Sequence, residues 1–429
     1  MKGPGLKVWA LSFDVSSNLE ETEGEKVSFG NGNGVGEIVI STPLRTGIGT
    51  FGGSLKDTPA TELGATVGKE VLSRAGIEGD QVDQIIVGNI LSAGQGMNPG
   101  RQVGIKSGLP VEVPGMTLNR MCGSGLQAIV SAAQEIALGD ADVVMAGGIE
   151  NMDRAPFLLD KARYGYRMGM PSAEMYDHMV YDGLWDIFND YHMGVTAENV
   201  AEEYGITRED SDAYAVRSHQ RAAKAHEEEL FDGQIVPVEV KQKKETVQFT
   251  TDEHIRANAS VEGLQKLKPV FKKDGGTVTA ANASGINDGA AMMLVSSERK
   301  AEELGMPVAG RLVSAAVAGV DPSVMGTGMI PASRLALKKA GLSVDDLDAV
   351  EANEAFASIA IAVERTLEVP EEKMNPVGGA IALGHPIGAT GAVLTAKILH
   401  HLARTGGQYG LVTLCIGGGM GIAAIFERV

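Results

Sequence analysis

Cysteine is nearly absent from this chain of 429 residues: there are two, Cys122 and Cys415. Two thiols cannot form a disulfide framework, and that fits a reducing, cytoplasmic setting. They lie 293 residues apart with no paired histidines, so zinc spacing is missing and no metal is expected. Aromatic residues make up only 5%, and no apolar run approaches the roughly 18 residues of a spanning helix. No signal-type pattern opens the chain. Positive charge is also scarce. With 37 Lys and Arg against 55 Asp and Glu, the net charge is −18. Such a surface repels nucleic acid and anionic membranes, so neither is an expected partner. An anionic ligand would need its own local cation.

Glycine is plentiful, with 56 residues, and hydrophobic residues reach 44%. That composition suits closely packed elements joined by tight turns. Residues 1–36 differ from the rest. Their clustered glutamates (Glu20, Glu21, Glu23, Glu25), Asn31-Gly-Asn-Gly34 and apolar patch at Val8–Phe13 suggest a flexible extension. The fold proper begins at the apolar strand Glu37-Ile-Val-Ile-Ser41.

A long-period repeat organises the remainder. Ala75-Gly-Ile77, an acidic turn and Val82-Asp-Gln-Ile-Ile-Val-Gly-Asn89 read as helix, stop and strand. Ala340-Gly-Leu342, an acidic turn and Leu347-Asp-Ala-Val-Glu-Ala-Asn353 repeat that order. Cys122-Gly-Ser-Gly125 opens a helical run with Leu126, Ile129, Val130, Ala133 and Ile136 on one face, followed by the strand at Val143. His385-Pro-Ile-Gly-Ala-Thr-Gly391 opens its later copy, followed by the strand Leu411-Val-Thr-Leu-Cys-Ile416. The offset stays near 264 residues across these elements, as expected for two duplicated α/β halves with mostly parallel sheets. A different, more charged stretch at 155–286 interrupts them. The expected division is 37–154 plus 287–307 for the first half, 155–286 for the insertion and 308–429 for the second half.

The reactive candidates sit at corresponding turns. A free cysteine is usually a small buried apolar residue. At a helix N-terminus, however, Cys122 is expected to feel free N–H groups and a lowered pKa. A lone histidine is more often structural, but the duplication would bring His385 beside that thiol, a nucleophile-activating pair. Cys415 runs into Ile416-Gly-Gly-Gly419, whose N–H groups suit an oxyanion. Asn353 either caps the next helix or orients a water. His192 reads as a surface or capping residue of the insertion.

Four ordered motifs carry a family resemblance: Asn119-Arg-Met-Cys-Gly-Ser-Gly-Leu126, Asn353-Glu-Ala-Phe-Ala357, Gly384-His-Pro-Ile-Gly-Ala-Thr-Gly391 and Cys415-Ile-Gly-Gly-Gly-Met-Gly421. Together they closely resemble the thiolase family from about residue 38 onward. The resemblance implies a five-layered αβαβα arrangement of the duplicated halves with a loop domain covering CoA. It implies reversible Claisen condensation of two acetyl-CoA to acetoacetyl-CoA and CoA, with CoA as substrate or product and no resident cofactor. Cys122 would be acylated, His385 would take its proton, and Asn353 would place a water in the oxyanion hole. Cys415 would be the acid/base at the α-carbon, and the N–H groups of Cys122 and Gly417 would hold the acyl oxygen. By likeness, Arg256, Leu267, Phe271, Ala283 and Ser284 contact CoA. His192 and Met193 match the short-chain subgroup, with Met325 and Phe356 walling the acyl pocket. Ala281 stands where the family usually has Gly, which puts the local backbone in question. The family also implies a homotetramer, with the Arg163–Pro171 excursion as an assembly loop.

Alternatives of the same kind are a degradative 3-ketoacyl-CoA thiolase of broader chain length and a decarboxylating ketoacyl synthase. The latter lacks its second catalytic histidine here. From another class, a non-catalytic thiolase-like lipid or CoA binder would be expected to have lost a reactive position, and all four are present.

Overall fold

The computed structural model describes residues 36–429 apart from 167, 169–173 and 243–244. The N-terminal extension up to residue 35, Lys243 and Lys244 of the insertion and part of the Arg163–Pro171 excursion therefore lie outside the described residues.

The first half runs β1 (Ile38–Thr46), α1 (Ala60–Ala75), β2 (Gln84–Gly88), α2 (Pro99–Ser107), β3 (Gly115–Leu118), α3 (Ser124–Leu138) and β4 (Val143–Asn151). The insertion carries α4 (Met193–Glu203) and α5 (Arg208–Glu227), after which β5 (Asn287–Ser297) closes the first half. The second half runs β6 (Val308–Gly319), α6 (Met329–Ala340), β7 (Ala349–Ala352), α7 (Ala357–Leu367), α8 (Thr390–Thr405), β8 (Tyr409–Ile416) and β9 (Met420–Glu427). The strand order is β7-β8-β9-β6-β1-β5-β4-β2-β3. Two half-sheets meet edge to edge where Val39 and Ile40 of β1 pair with Arg311 and Gly310 of β6.

The expectation of mostly parallel sheets is corrected. Only β2–β3, β2–β4 and β7–β8 pair in parallel along this path, whereas β4–β5, β5–β1, β1–β6, β6–β9 and β8–β9 are antiparallel. The direction follows from where the chain returns to the sheet: β5 comes back only after the insertion, and the last pair is a tight reversal. Gly418 and Gly419 have φ of +87° and +86°, which turns β8 straight back into β9.

Alternating side chains assign the layers. Val143 and Met145 of β4 face Leu63, Val67 and Val103 of α1 and α2, while Val144 and Ala146 face α3 and α8. In the second half, Leu411 packs toward α6 and α7, and Val412 and Leu414 pack inward. Outer helices, half-sheet, the α3–α8 pair, half-sheet and outer helices make five layers, αβαβα.

Layer assignment also sharpens the repeat. Ile86 faces inward between outward Ile85 and Val87; inward Glu351, paired with Lys397 of α8, lies between outward Val350 and Ala352. The structural offset here is thus 265, which matches the left-handed glycines Gly76 and Gly341 that end α1 and α6. A slip of one residue flips every side chain. Asn353 therefore corresponds to Gly88, not to Asn89.

The central helices cross at their N-termini. A Cβ on Gly391 would sit 2.3 Å from the Leu126 nitrogen, and one on Gly125 would sit 2.8 Å from the Ala392 nitrogen. Alanine normally stabilises a helix by about 1 kcal/mol over glycine. Here overpacking, about 1–3 kcal/mol, opposes it. Gly391→Ala should therefore lower the urea midpoint; a raised midpoint would show that the helices tolerate the methyl group.

Candidate active site

Cys122 sits on a strained turn between β3 and α3. Met121, just before it, has φ +46°, a region costly for a residue with a Cβ. The turn is held from both sides. Asn119 Oδ1 accepts from Met121 N at 2.8 Å; Ser124 Oγ accepts from Arg120 N at 2.8 Å and donates to Met121 O at 2.6 Å. This explains the residues flanking Cys122 in the motif: they hold the backbone that presents the thiol.

His385 enters from the other half, ahead of α8. Its Nδ1 lies 2.6 Å from Thr390 Oγ1, and that hydroxyl donates to Pro386 O at 2.9 Å. A hydroxyl has one proton to give. Nδ1 is therefore the protonated nitrogen, and Nε2 keeps its lone pair, facing Asn353 Nδ2 at 3.3 Å. Burial holds the imidazole neutral by lowering its pKa to about 4. The tautomer is thus the one that can accept a proton at Nε2.

Cys122, His385, Cys415 and Gly417 all line one cavity of about 250 Å³. Asn353 does not line it but reaches it through His385, and its amide also hydrogen-bonds to Cys415. It caps nothing: α7 begins after Phe356, and the Asn353 nitrogen bonds Thr413 O at 2.9 Å. Its Oδ1 is buried without a partner.

The expected acidification of Cys122 is overturned. Burial pushes its thiol up to about 11, outweighing the N–H groups of Gly417 and Cys122 itself that favour the thiolate, while Glu150 nearby raises it further. Helix α3 begins only at Ser124, so Cys122 stands outside its first turn while the surrounding protein desolvates its thiol. Burial likewise pushes the Cys415 thiol well above its ordinary range, with Cys122 adding to the rise. Thiols and imidazole are all neutral at rest.

The insertion roofs this cavity. His192, Met193, Phe271, Ala283, Ser284, Met325 and Phe356 all line it. His192 is also a cap: its Nδ1 accepts from Gly194 N at 3.0 Å, which leaves Nε2 to carry the proton. Its ring stacks on Phe271 with centroids 4.7 Å apart. Gly194 is required there, because a Cβ would lie 2.0 Å from the Phe271 ring. Arg256 and Leu267 are not brought in: both are exposed and neither lines the cavity. Ala281 causes no strain, since its φ is not positive. Its loop is fixed by Asn282, which accepts from Thr279 N and donates to Asp212 and Thr277 O.

Sequence reasoning missed the lining residues Met152, Gly183, Leu184, Ile286 and Ile387. It also missed the buried carboxylates that anchor the roof. Glu198 accepts from Thr277 N, Thr277 Oγ1 and Val278 N. Glu354 accepts from Tyr214, Ser218, Asn375 and Ile381 N, tying α5 to the residue after Asn353. The one sequence signal was an acidic residue inside an otherwise apolar motif.

A duplicated αβαβα fold with two thiols and an imidazole on one roofed cavity defines a thiolase-type site. The chain belongs to the thiolase family: the family's N-terminal domain model matches residues 38–299 and its C-terminal domain model residues 306–428. It is 54% identical to an acetyl-CoA acetyltransferase of Syntrophomonas wolfei over 92% of this chain and 99% of the relative. It is 52% identical to the beta-ketothiolase BktB of Cupriavidus necator, again over 92% and 99%. A crystal structure of the Bacillus anthracis acetyl-CoA acetyltransferase superposes with a TM-score of 0.89 at 44% identity, covering 92% of this chain and 99% of that one. Human mitochondrial 3-ketoacyl-CoA thiolase in complex with CoA gives 0.89 at 42% identity, over 95% and 100%.

Thr390→Val removes the acceptor that fixes the His385 tautomer. It should lower kcat about 10- to 100-fold, within the range carried by a positioned base, and leave the KM for CoA within about twofold of wild type, measured by steady-state thiolysis.

Proposed function

We propose that this thiolase is an acetyl-CoA C-acetyltransferase that joins two acetyl-CoA into acetoacetyl-CoA and CoA, reversibly, through an acetylated Cys122. The observation that carries the reading is the convergence of Cys122, His385 and Cys415 on one narrow cavity. The relatives named acetyl-CoA acetyltransferase support the acetyl preference.

Chemistry follows from three neutral groups. As Cys122 Sγ attacks the thioester carbon, its proton passes to His385 Nε2, so no buried thiolate has to exist beforehand. The N–H groups of Cys122 and Gly417 lie at this sulfur and suit the oxygen as it gains charge. The C–S bond to CoA breaks, and the departing sulfur takes the proton of Cys415. A Cys415 thiolate with a strongly raised pKa is a strong base, which an α-proton demands. It takes that proton from the second acetyl-CoA while Asn353 and His385 hold the enolate oxygen, with a water on the unpartnered Asn353 Oδ1 completing the set. The enolate carbon attacks the acetyl group, the C–S bond to Cys122 breaks, and His385 returns its proton to the sulfur. No resident cofactor enters these steps.

His192, Met193, Met325 and Phe356 bound the acyl end and favour short chains. Arg256 and Leu267, outside the cavity, are assigned to the nucleotide end of CoA, where Arg256 would supply the cation that an acidic surface lacks. We also propose a homotetramer. Phe157–Leu158 pairs with Tyr176–Asp177, and Phe157, Leu159 and Tyr164 are exposed. Light scattering should report four subunits; a monomer would refute this assignment.

Acetyl-CoA should leave an acetyl group on Cys122 detectable by mass spectrometry of the peptide. Cys415→Ala should still acetylate but should not condense or thiolyse, whereas Cys122→Ser should do neither. Turnover by Cys122→Ser at the wild-type rate would defeat the reading. A faster rate with long-chain 3-ketoacyl-CoA than with acetoacetyl-CoA would instead favour the broader thiolase.

A further inference from the structure

Glu150, near the end of β4, is fully buried and takes no part in the steps above. Its two oxygens accept four N–H groups and, among the described residues, face no cation within bonding distance. Oε1 accepts from Asn89 Nδ2 at 2.7 Å and Leu91 N at 3.2 Å. Oε2 accepts from Ile90 N at 3.1 Å and Gly388 N at 2.9 Å. Three donors belong to the Cys122 half. The fourth belongs to the turn His385-Pro-Ile-Gly388 of the other half. That turn is fitted against the carboxylate: a Cβ on Gly388 would lie 2.6 Å from Oε2 and 3.0 Å from the Asn89 Cα. Ile387, one residue earlier, lines the cavity.

We propose that Glu150 is a positioning residue: its carboxylate locks the turn that carries His385 onto the half that carries Cys122. This rests on the thiolase reading of those two residues. The set of partners is informative, because all four are donors. Only an acceptor-only group satisfies them together, and that is an ionised carboxylate. Adding a proton must break at least one of the four bonds. Burial brings this within reach by raising the carboxyl pKa to about 7, against the four N–H groups that lower it. The neighbours that could titrate or carry charge are few. The 89–91 segment contributes only the neutral Asn89. The turn at 388 contributes His385, held neutral by burial, and the turn before α3 contributes the Cys122 thiol, also neutral. On the adjacent β5, Gly289 pairs with Glu150, and Asp288, next to it, is held up to about 8 by burial and by Asp153. Above pH 7 the clamp is closed, and below it the clamp loosens and the Cys122–His385 alignment is lost with it.

Two variants test this. Glu150→Gln presents an amide N–H₂ to donors and cannot ionise. We expect kcat to fall at least tenfold with the KM for CoA within twofold, and the acid limb of the kcat–pH profile near pH 7 to disappear. Asn89→Asp keeps Glu150 but sets a like charge against it, which raises its pKa. We expect its acid limb to move up by about one pH unit or more. This second variant keeps the test open if the first does not fold. Wild-type kcat and an unchanged limb in Glu150→Gln, or an unmoved limb in Asn89→Asp, would overturn the role. Cys122→Ser assayed alongside separates the two claims. If it is inactive while Glu150→Gln is normal, only the Glu150 clamp fails; if it is active, the thiolase reading itself fails.

Discussion

Everything at this site depends on how closely two helices approach at their N-termini. Each half ends a strand in a turn and then launches a central helix, so each contributes one set of loop residues at the same end of the central layer. With any side chain at Gly125 or Gly391, α3 and α8 would have to separate. Cys122 lies just before one helix and His385 just before the other. A shift of about 1 Å between them is enough to lower catalysis substantially. Packing in the middle layer therefore sets the geometry of the reaction. The apolar surroundings of Leu126, Val393 and Leu394 do for catalysis what they do for stability.

The same packing excludes water, and that decides the protonation states. Two N–H groups favour a thiolate at Cys122, yet burial wins. The resting site holds neutral thiols and a neutral imidazole. Charge is generated only when a thioester carbonyl arrives to receive it, in a place where fixed N–H groups already point. A pre-formed ion pair would have to be carried through the whole cycle in a low-dielectric pocket. The neutral arrangement avoids that cost and makes proton transfer part of the attack.

Much of this was legible in the chain. The duplication, the four motifs and the candidacy of Cys122, His385 and Cys415 rest on local patterns that a linear reading detects. What escaped is what depends on faces and on depth. The offset of 264 was close but one residue off at Asn353, because only the inward pairing of Glu351 with Lys397 reveals which face is which. The direction of the Cys122 shift was misread because burial has no local signature around a turn. The antiparallel pairing was hidden because strand direction is set by where the chain returns, after an insertion or around Gly418 and Gly419. The buried carboxylates Glu150, Glu198 and Glu354 look in sequence like any acidic residue near a loop.

Those carboxylates follow one rule, and it explains how an open end of a sheet becomes a closed pocket. Loops at strand ends carry unpaired backbone N–H groups, which are costly to bury. A side chain that only accepts can take several at once. Glu198 does this for the 277–278 loop, and Glu354 takes Ile381 N together with the side-chain donors of Tyr214, Ser218 and Asn375. Each brings together segments far apart in the chain with little added bulk. Salt bridges would need cations, which this protein has in short supply and which would place positive charge beside a site that must stay neutral. Acceptor-only anchors on backbone donors meet both demands. An acidic chain can therefore hold an uncharged reaction centre: Glu150, Glu198 and Glu354 satisfy uncharged N–H and O–H donors and leave the cavity to neutral sulfur and imidazole.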